Sequence, residues 1–150
     1  SGDVRGAGSW ADAALGQAGS DVSRRAALHA KAGVDLADNR LESAADALTE
    51  ALQLVPRLSA NQYPRLPVLE LMVRVEAAAG RAGRAAVLLG WAESIRSREA
   101  VPMPSADRPV LDTVREDLRR ELGEEAYSAA VERGAGMTPD EATAFALNRE

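Results

Sequence analysis

Few residues of this 150-residue chain have the types and the spacing that catalysis needs. His29 is the only histidine and there is no cysteine, so neither a multi-histidine metal site nor a cysteine nucleophile can form. Two of the three adjacent carboxylate pairs stand at expected helix starts, where negative charge complements the helix dipole. We therefore expect a non-enzymatic protein that carries no cofactor and no metal. The pairs are Glu116-Asp117, Glu124-Glu125 and Asp140-Glu141.

A glycine-rich stretch near the start, Gly6-Ala7-Gly8, suggests a nucleotide-binding loop. Such loops follow a strand and lead into a helix, and the ATP-binding form ends in a GK[ST] motif. No strand is expected before Gly6, and the chain has no GK[ST] motif. We therefore expect no ATP binding.

The charge distribution argues against nucleic-acid binding. Residues 107–150 contain eleven acidic residues and six arginines, whereas the first 106 residues balance at twelve of each sign. The tail thus accounts for the whole net charge of −5. Because phosphate contacts need a surplus of arginine and lysine, we expect this segment not to bind DNA or RNA directly.

An internal repeat organises the middle of the chain. A shift of 41 positions superposes two helix–turn–helix segments on each other. Asn39 falls on Gly80, and these two residue types adopt most readily the left-handed conformation that ends a helix. The sequence therefore predicts two helical hairpins, one before and one after about residue 60. The other matches pair Leu28 with Leu69, Val34 with Val75, Asp35 with Glu76, Arg40 with Arg81, Ala44 with Ala85, Leu48 with Leu89 and Ala51 with Ala92.

Small residues mark where the two helices of each hairpin touch. The first copy has Ala44, Leu48, Ala51 and Pro56, with the spacing of the second helix of a tetratricopeptide repeat. The second copy repeats this pattern with an alanine at 85, a leucine at 89 and an alanine at 92. Small residues on one helical face permit close approach of the backbones. We predict an all-α fold of tetratricopeptide-like stacked hairpins, with an unrelated helical bundle as the alternative.

Four segments follow from the placement of glycine, proline and apolar residues. We expect residues 1–20 to form a flexible N-terminal segment, with a short helix over 10–15 capped by Ser9. Residues 21–99 hold the two hairpins, and residues 100–106 are a proline-containing connector. Residues 107–150 form a cap of three short helices that packs on the second hairpin.

Trp91 has no counterpart in the repeat, so we expect it to contact this cap. The expected inner side of the cap contains Leu111, Val114, Leu118, Ala126, Tyr127, Ala130, Val131, Ala142, Phe145 and Ala146. Gly134 and Gly136 are expected to end its second helix. The third helix begins with the strongest local signal in the chain, Thr138-Pro139-Asp140-Glu141, which predicts a capping box.

Protein binding is the function class that remains. In stacked hairpins the first helices line a concave groove, so His29, Gly33, Glu70 and Arg74 are the candidate partner-binding residues. The alternative is that they lie on an ordinary solvated helical face. The paired lysine and asparagine set that grips a peptide carboxylate in some tetratricopeptide domains is missing from these positions. A partner's C-terminus is therefore not the expected ligand.

Three stretches of the second half resemble a known family. RAAVLLGWAESIRS, PMPSADRPVLDTVREDLRRELGEEAYSAAVERG and MTPDEATAFAL are similar, in order and spacing, to the carboxy-terminal part of the tetratricopeptide-like region of large actinobacterial transcriptional regulators. These regulators are the LuxR-type and AfsR/SARP-type proteins with a STAND-class ATPase module. The match spans about residues 84–147. It implies a signal-receiving or autoregulatory scaffold that adjoins an ATPase and, in many relatives, a helix–turn–helix domain.

The function expected is that of a regulatory or protein-interaction segment of a larger transcriptional regulator. Its partners are then the regulator's own ATPase and DNA-binding modules or a separate protein. Two alternatives remain, a small-molecule sensor whose inducer lies in the groove and a structural spacer or dimerisation arm. The apolar runs are far shorter than a membrane-spanning helix, so we expect a soluble protein of the cytoplasm.

Overall fold

A computed structural model of the chain describes residues 20–55 and 64–148. Within these ranges the backbone forms seven α-helices and no strand. The predicted all-α fold class is therefore confirmed. The helices are α1 (Asp21–Ala37), α2 (Leu41–Gln53), α3 (Leu66–Ala78), α4 (Ala82–Arg98), α5 (Arg108–Leu122), α6 (Glu124–Ala135) and α7 (Pro139–Leu147).

The chain divides into two compact units, and the division falls inside α3. The first unit runs to Leu71 and contains α1, α2 and the start of α3. The second unit begins at Met72 and contains the rest of α3 with α4 to α7. Each unit has its own set of buried apolar side chains.

The first unit is built on the α1–α2 hairpin. Ser20 caps α1, because its hydroxyl accepts a hydrogen bond from the Ser23 backbone N–H at 3.2 Å. The predicted contact residues of α2, Ala44, Leu48 and Ala51, are completely buried, at 0% exposure each. Their burial is what close packing of α1 on α2 requires.

The turn between helices is the same in both copies of the repeat. Asn39 has a φ of 57° and Gly80 a φ of 80°, so both occupy the predicted left-handed conformation. The Arg40 N–H donates to the Asp35 carbonyl at 2.8 Å, and the Arg81 N–H donates to the Glu76 carbonyl at 2.9 Å. These hydrogen bonds close each helix end in the manner of a Schellman motif. The turn of the predicted repeat therefore has the same backbone conformation in both copies.

The second unit is organised around α4. Every residue of α4 from Ala85 to Ala92 is buried, so the helix is covered on all sides. Helices α5, α6 and α7 all pack against it. Trp91 is 1% exposed, and the buried residues of the tail include Leu111, Leu118 and Tyr127. The indole N–H of Trp91 has no hydrogen-bond partner within the described ranges.

Two glycines allow α4 and α6 to cross at backbone contact. A Cβ built on Gly90 would lie 2.8 Å from the Cα of Val131. A Cβ built on Gly134 would clash with the Val87 carbonyl and lie 3.0 Å from the Trp91 backbone nitrogen. The prediction that Gly134 ends the helix is thus wrong, because α6 continues to Ala135 with Gly134 buried inside it. Gly134 lacks a side chain and so lets the backbone of α4 approach α6, and it does not end the helix.

Helix α7 begins as predicted. The Thr138 hydroxyl accepts from the Glu141 N–H at 3.1 Å, and the Glu141 carboxylate accepts from the Thr138 N–H at 2.9 Å. This reciprocal pair is the predicted capping box. These two hydrogen bonds also hold the pKa of Glu141 below its usual value.

The expected inner side of the tail is correct in part. Ala142 and Ala146 are fully buried, but Phe145 is half-exposed between two arginines, with the guanidinium carbons of Arg84 and Arg133 at 4.7 and 5.1 Å from its ring centre. Ala126 is exposed, contrary to expectation, because α6 turns its glycine side and not its first alanine toward α4. Three further residues that were expected on the inner side are half-buried in the structure, namely Val114, Ala130 and Val131.

Some predictions fall outside the described residues. These are the short helix over 10–15 with its Ser9 cap, the glycines of residues 6–8 and the role of Pro56 in ending α2. In the portion that the structure covers, none of the helices has the length and apolar character needed to cross a bilayer.

Candidate interaction site

The predicted groove residues lie on the first helices of the two copies. His29 and Gly33 are on α1, and Glu70 and Arg74 are on α3. His29 is half-buried, and its Nε2 lies 3.3 Å from the Pro67 carbonyl oxygen at the start of α3. The imidazole thus joins α1 to α3 within the first unit. This placement gives His29 a structural partner.

The other predicted residues differ in their exposure. Gly33 is half-exposed, and a Cβ added to it would meet no atom within 4 Å. Glu70 is half-buried in the first unit and Arg74 is exposed in the second. The structure therefore brings His29 close to the helix that carries Glu70, and it leaves open space beside Gly33.

Three charged side chains of α1 are directed at α2 and at the turn between the two helices. Arg24 donates through one nitrogen to both carboxylate oxygens of Glu50, each at 2.9 Å. Lys31 lies 2.8 Å from Asp35 and 3.0 Å from the Ser43 hydroxyl at the start of α2. Arg24 and Lys31 are therefore paired with acidic or hydroxyl groups on the side of α1 that faces α2.

Asp35 is the centre of this polar cluster. Its side chain is 3% exposed, and it accepts from Lys31, from the Ser43 hydroxyl at 2.7 Å and from Arg40 at 3.0 Å. Burial alone would raise the pKa of Asp35, but the hydrogen bonds from Lys31 and Ser43 and the charges of Lys31 and Arg40 outweigh it. The pKa therefore lies below its usual value, and the carboxylate is ionised at neutral pH.

The second copy repeats this arrangement with different partners. Glu76, also buried, accepts from Arg81 at 2.6 Å and from Arg84 at 3.2 Å. Arg84 in turn donates to the Asn148 carbonyl at 2.6 Å and to the Phe145 carbonyl at 3.0 Å. A cation at the carboxyl end of a helix satisfies its open carbonyls and complements its dipole. Arg84 thus links the buried carboxylate of the repeat turn to the end of α7.

The remaining side of α1 carries no charge. At 100° per residue, seven of its positions fall within an arc of about 120°, and every one is exposed or half-exposed. Val22 is the most exposed large apolar residue of the described chain, at 65%. We call this surface the α1 outer face. Its residues are Val22, Ser23, Ala26, Ala30, Gly33, Val34 and Ala37.

An open cleft lies in the second unit, where the end of α4, the connector and the start of α5 meet. Its volume is about 380 Å³. Arg115 crosses it, with its guanidinium 2.5 Å from Glu93 on α4 and 2.6 Å from Asp112 on α5. Arg96 donates to the Pro102 carbonyl at 2.8 Å and fixes the connector. The other lining residues are Ser97, Val101, Met103 and Arg108.

The described residues offer no assembled metal site. Across ranges 20–55 and 64–148, no group of three or more acidic or histidine side chains is placed to hold a metal ion. The first unit has the α1 outer face at its surface, and the second has the open cleft. The candidate residues predicted from the sequence include Gly33 but none of the other residues of the outer face. The signal that would have found it is the one-sided placement of charge on α1.

Comparison with known proteins returns no relative. No family model, no curated protein and no solved structure matches the chain.

Proposed function

We propose that this chain is a non-catalytic helical-repeat segment of a larger transcriptional regulator and that it works by contact with protein. The proposal draws on the resemblance of residues 84–147 to the tetratricopeptide-like region of LuxR-type and AfsR/SARP-type regulators. It also draws on the repeated turn, whose two copies share their left-handed residue and their hydrogen bonds. In repeat proteins of this kind, each hairpin contributes to an extended surface for partners.

The observation that carries the proposal is the α1 outer face. A helix face without charge, in a chain of which 27% of residues are charged, is unusual for a surface in contact with water alone. Gly33, one of the predicted partner-binding residues, lies within it and leaves open space beside the backbone. A protein partner gains from covering such a face, because apolar surface leaves water.

Electrostatics supports protein over nucleic acid as the partner. The net charge of −5 resides in residues 107–150, on the helices that most resemble a DNA-reading unit in length. Phosphate would be repelled there, and Arg119 and Arg120 are too few to reverse the field. Arg120 is further engaged by Asp117, and Arg119 lies 3.5 Å from Glu124.

Direct titration of the full chain tests this assignment. With fluorescently labelled duplex DNA at about 150 mM salt, we expect no binding tighter than the roughly 10⁻⁴–10⁻⁶ M of non-specific contact. With ATP we expect no saturable signal. A submicromolar dissociation constant for DNA that rises steeply with salt concentration would replace the protein-binding assignment with a DNA-reading tail.

Small-molecule sensing is the second candidate, and the open cleft favours it. Its volume of about 380 Å³ is within the range of roughly 300–1,000 Å³ that small ligands occupy. Val101 and Met103 offer apolar contact, and Arg108 offers a cation near them. A thermal-shift screen of metabolites, repeated on Arg108→Ala, separates this candidate from the first. A ligand that stabilises the wild-type chain and not the variant would favour sensing.

A further inference from the structure

Helix α7 supplies little of what holds it in place. It has nine residues, and the two side chains that it buries completely, Ala142 and Ala146, are small. Helices of this length are not stable alone in water, and an alanine side chain removes little apolar area from water. The capping box joins Thr138 to Glu141 and so acts within the start of α7 itself. The position of α7 therefore depends on contacts that other elements make with it.

The side chain of Arg84, on α4, makes such a contact at the end of α7. Its Nη1 donates to the Asn148 carbonyl at 2.6 Å, and its Nη2 donates to the carbonyls of Phe145 at 3.0 Å and Ala146 at 3.3 Å. The last carbonyls of a helix have no partner within the helix, so these hydrogen bonds satisfy groups that α7 leaves open. The guanidinium carbon also lies 4.7 Å from the centre of the Phe145 ring. One side chain thus closes the end of α7 and ties it to α4.

The first copy of the repeat shows what the turn alone requires at this position. The 41-residue shift places Ser43 on Arg84. The Ser43 hydroxyl donates to the buried Asp35 carboxylate at 2.7 Å. In the second copy, the Arg84 Nε donates to the buried Glu76 carboxylate at 3.2 Å. A serine is therefore sufficient as a donor to the carboxylate of the turn, and the length and charge that Arg84 adds are used beyond the turn, on α7.

Glu76 also sets the direction in which the Arg84 guanidinium points. A guanidinium is planar and holds its five N–H donors in a fixed fork. Because the Nε–H is directed at Glu76, the plane of the group is fixed and its two Nη atoms reach the end of α7. The same carboxylate accepts from Arg81 at 2.6 Å, so its own position is held from the turn. The carboxylate of the turn thus orients the side chain that holds α7.

We propose that Glu76 and Arg84 form a latch that couples the repeat turn to α7. While Glu76 holds Arg84, α7 stays closed on α4. When the pair separates, α7 opens as a local unit and the rest of the second unit stays folded. Arg84 is the side chain that contacts α7, and Glu76 is a positioning residue that acts through it. This device goes beyond the proposed function, because it concerns the second unit alone and does not depend on the partner of the α1 outer face.

Amide hydrogen exchange of the full chain, read by mass spectrometry, tests the latch. Arg84→Ser gives the second copy the residue that the first copy has, so Glu76 keeps a donor while α7 loses its contact. We expect exchange over residues 139–148 to become roughly tenfold faster or more, because charged hydrogen bonds to the helix end are lost. Exchange in α4 and α6 should change far less. Arg98→Ser is the matched control and should leave α7 unchanged, because Arg98 donates at 3.2 Å to the Ala135 carbonyl at the end of α6.

The positioning role of Glu76 has its own test. Glu76→Gln nearly keeps the size of the side chain and removes its charge, so Arg84 loses the group that orients it. Exchange over residues 139–148 should rise, although Glu76 makes no hydrogen bond to α7 in the part of the chain that the structure describes. Combined with Arg84→Ser, the same substitution should have no further effect on α7, because residues that act in series are not additive. Asp35→Asn, the equivalent change in the first copy, should leave α7 unaffected.

Circular dichroism and urea unfolding establish that each variant is folded. If Arg84→Ser does not fold, Arg84→Lys takes its place, since it keeps a positive charge beside Glu76. A single ammonium group lacks the fork that reaches both sides, so α7 should still exchange faster. Unchanged exchange over residues 139–148, or an equal rise in α4, α6 and α7, would overturn the latch. An effect of Glu76→Gln on α7 that persists in full with Arg84→Ser would contradict the positioning role of Glu76.

Discussion

At the scale of single residues, the glycines of the second unit differ sharply in role. Gly90 and Gly134 bring two backbones together, whereas Gly83, also in α4, has no atom within 4 Å of its missing Cβ. Each of the three stretches that carry the family resemblance contains a residue with a clear structural task. Gly90 lies in the crossing, Gly123 ends α5 with a φ of 82°, and Thr138 caps α7.

The glycine crossing gives a prediction with an internal control. Gly134→Ala should destabilise the chain by about 1–3 kcal/mol or more, because the new methyl group overlaps the Val87 carbonyl and the backbones must separate. Gly83→Ala should stabilise by about 0.4–1 kcal/mol, because it removes unfolded-state freedom at no steric cost. Urea unfolding of both variants measures this. Equal effects of the two substitutions would show that α4 and α6 do not cross at Gly134.

Asp35 gives a pH-dependent prediction. Its pKa in the folded chain lies below the value of about 3.9 that an unfolded aspartate has, so its contribution is present above that pH. The contribution is lost as the pH falls through the folded pKa. Asp35→Asn should cost about 1–3 kcal/mol at pH 7, because charge-assisted hydrogen bonds from Lys31 and Ser43 are lost.

The same variant should differ less from wild type in acid. Urea unfolding at about pH 7 and about pH 3 gives the two differences in free energy, and the one at low pH should be smaller. A difference that stays constant over this range would mean that the Asp35 carboxylate is not held ionised by its neighbours.

At the scale of helices, local signals were predictable and contacts between distant helices were not. The turns at Asn39 and Gly80 and the capping box at Thr138 depend on residues within one turn of each other, so the sequence alone predicts them. The crossing of Gly90 and Gly134 joins helices that a whole intervening helix separates. Nothing local distinguishes Gly134 from a helix-ending glycine, so the prediction there was wrong.

The candidate site shows the same limit. Gly33 was a candidate because its place in the repeat puts it on a first helix, but the outer face depends on which side α1 turns toward α2. That side is set by the buried residues of α1, such as Leu28 and Ala32, whose contact with a second helix is not encoded locally. A helical projection of the α1 sequence shows the uncharged arc. Only the structure, in which α2 covers the opposite side of α1, shows that this arc is exposed.

Close packing within each hairpin gives a prediction at this scale. Ala44→Leu and Ala85→Leu should each destabilise by about 1–3 kcal/mol, because both alanines are 0% exposed and the added atoms have no room. Ala129→Leu, at an exposed site, is the control and should change stability by less than about 0.5 kcal/mol. Unchanged melting temperatures for both buried variants would show that Ala44 and Ala85 do not lie at close helix contacts, and would contradict the predicted repeat.

At the scale of the whole chain, the tail completes the burial of α4. Deleting residues 107–150 removes α5, α6 and α7 and should expose Trp91, which is 1% exposed in the full chain. The measurement uses Trp10→Phe, so that Trp91 alone reports. We expect a red-shifted emission and aggregation of the truncated chain, since apolar residues of α4 then meet water. A soluble truncated chain with unshifted emission would show that the tail does not cover α4.

The central proposal is that the α1 outer face makes contact with another protein. The most direct test replaces Gly33 with the photo-crosslinking residue p-benzoylphenylalanine, for which the structure leaves space, and places the same residue at Ala129 as control. Irradiation in the cells that make the protein, followed by mass spectrometry, identifies the adducts. We predict protein adducts at position 33 that are absent or far weaker at position 129. Adducts to nucleic acid, or equal protein yields at both positions, would contradict the account.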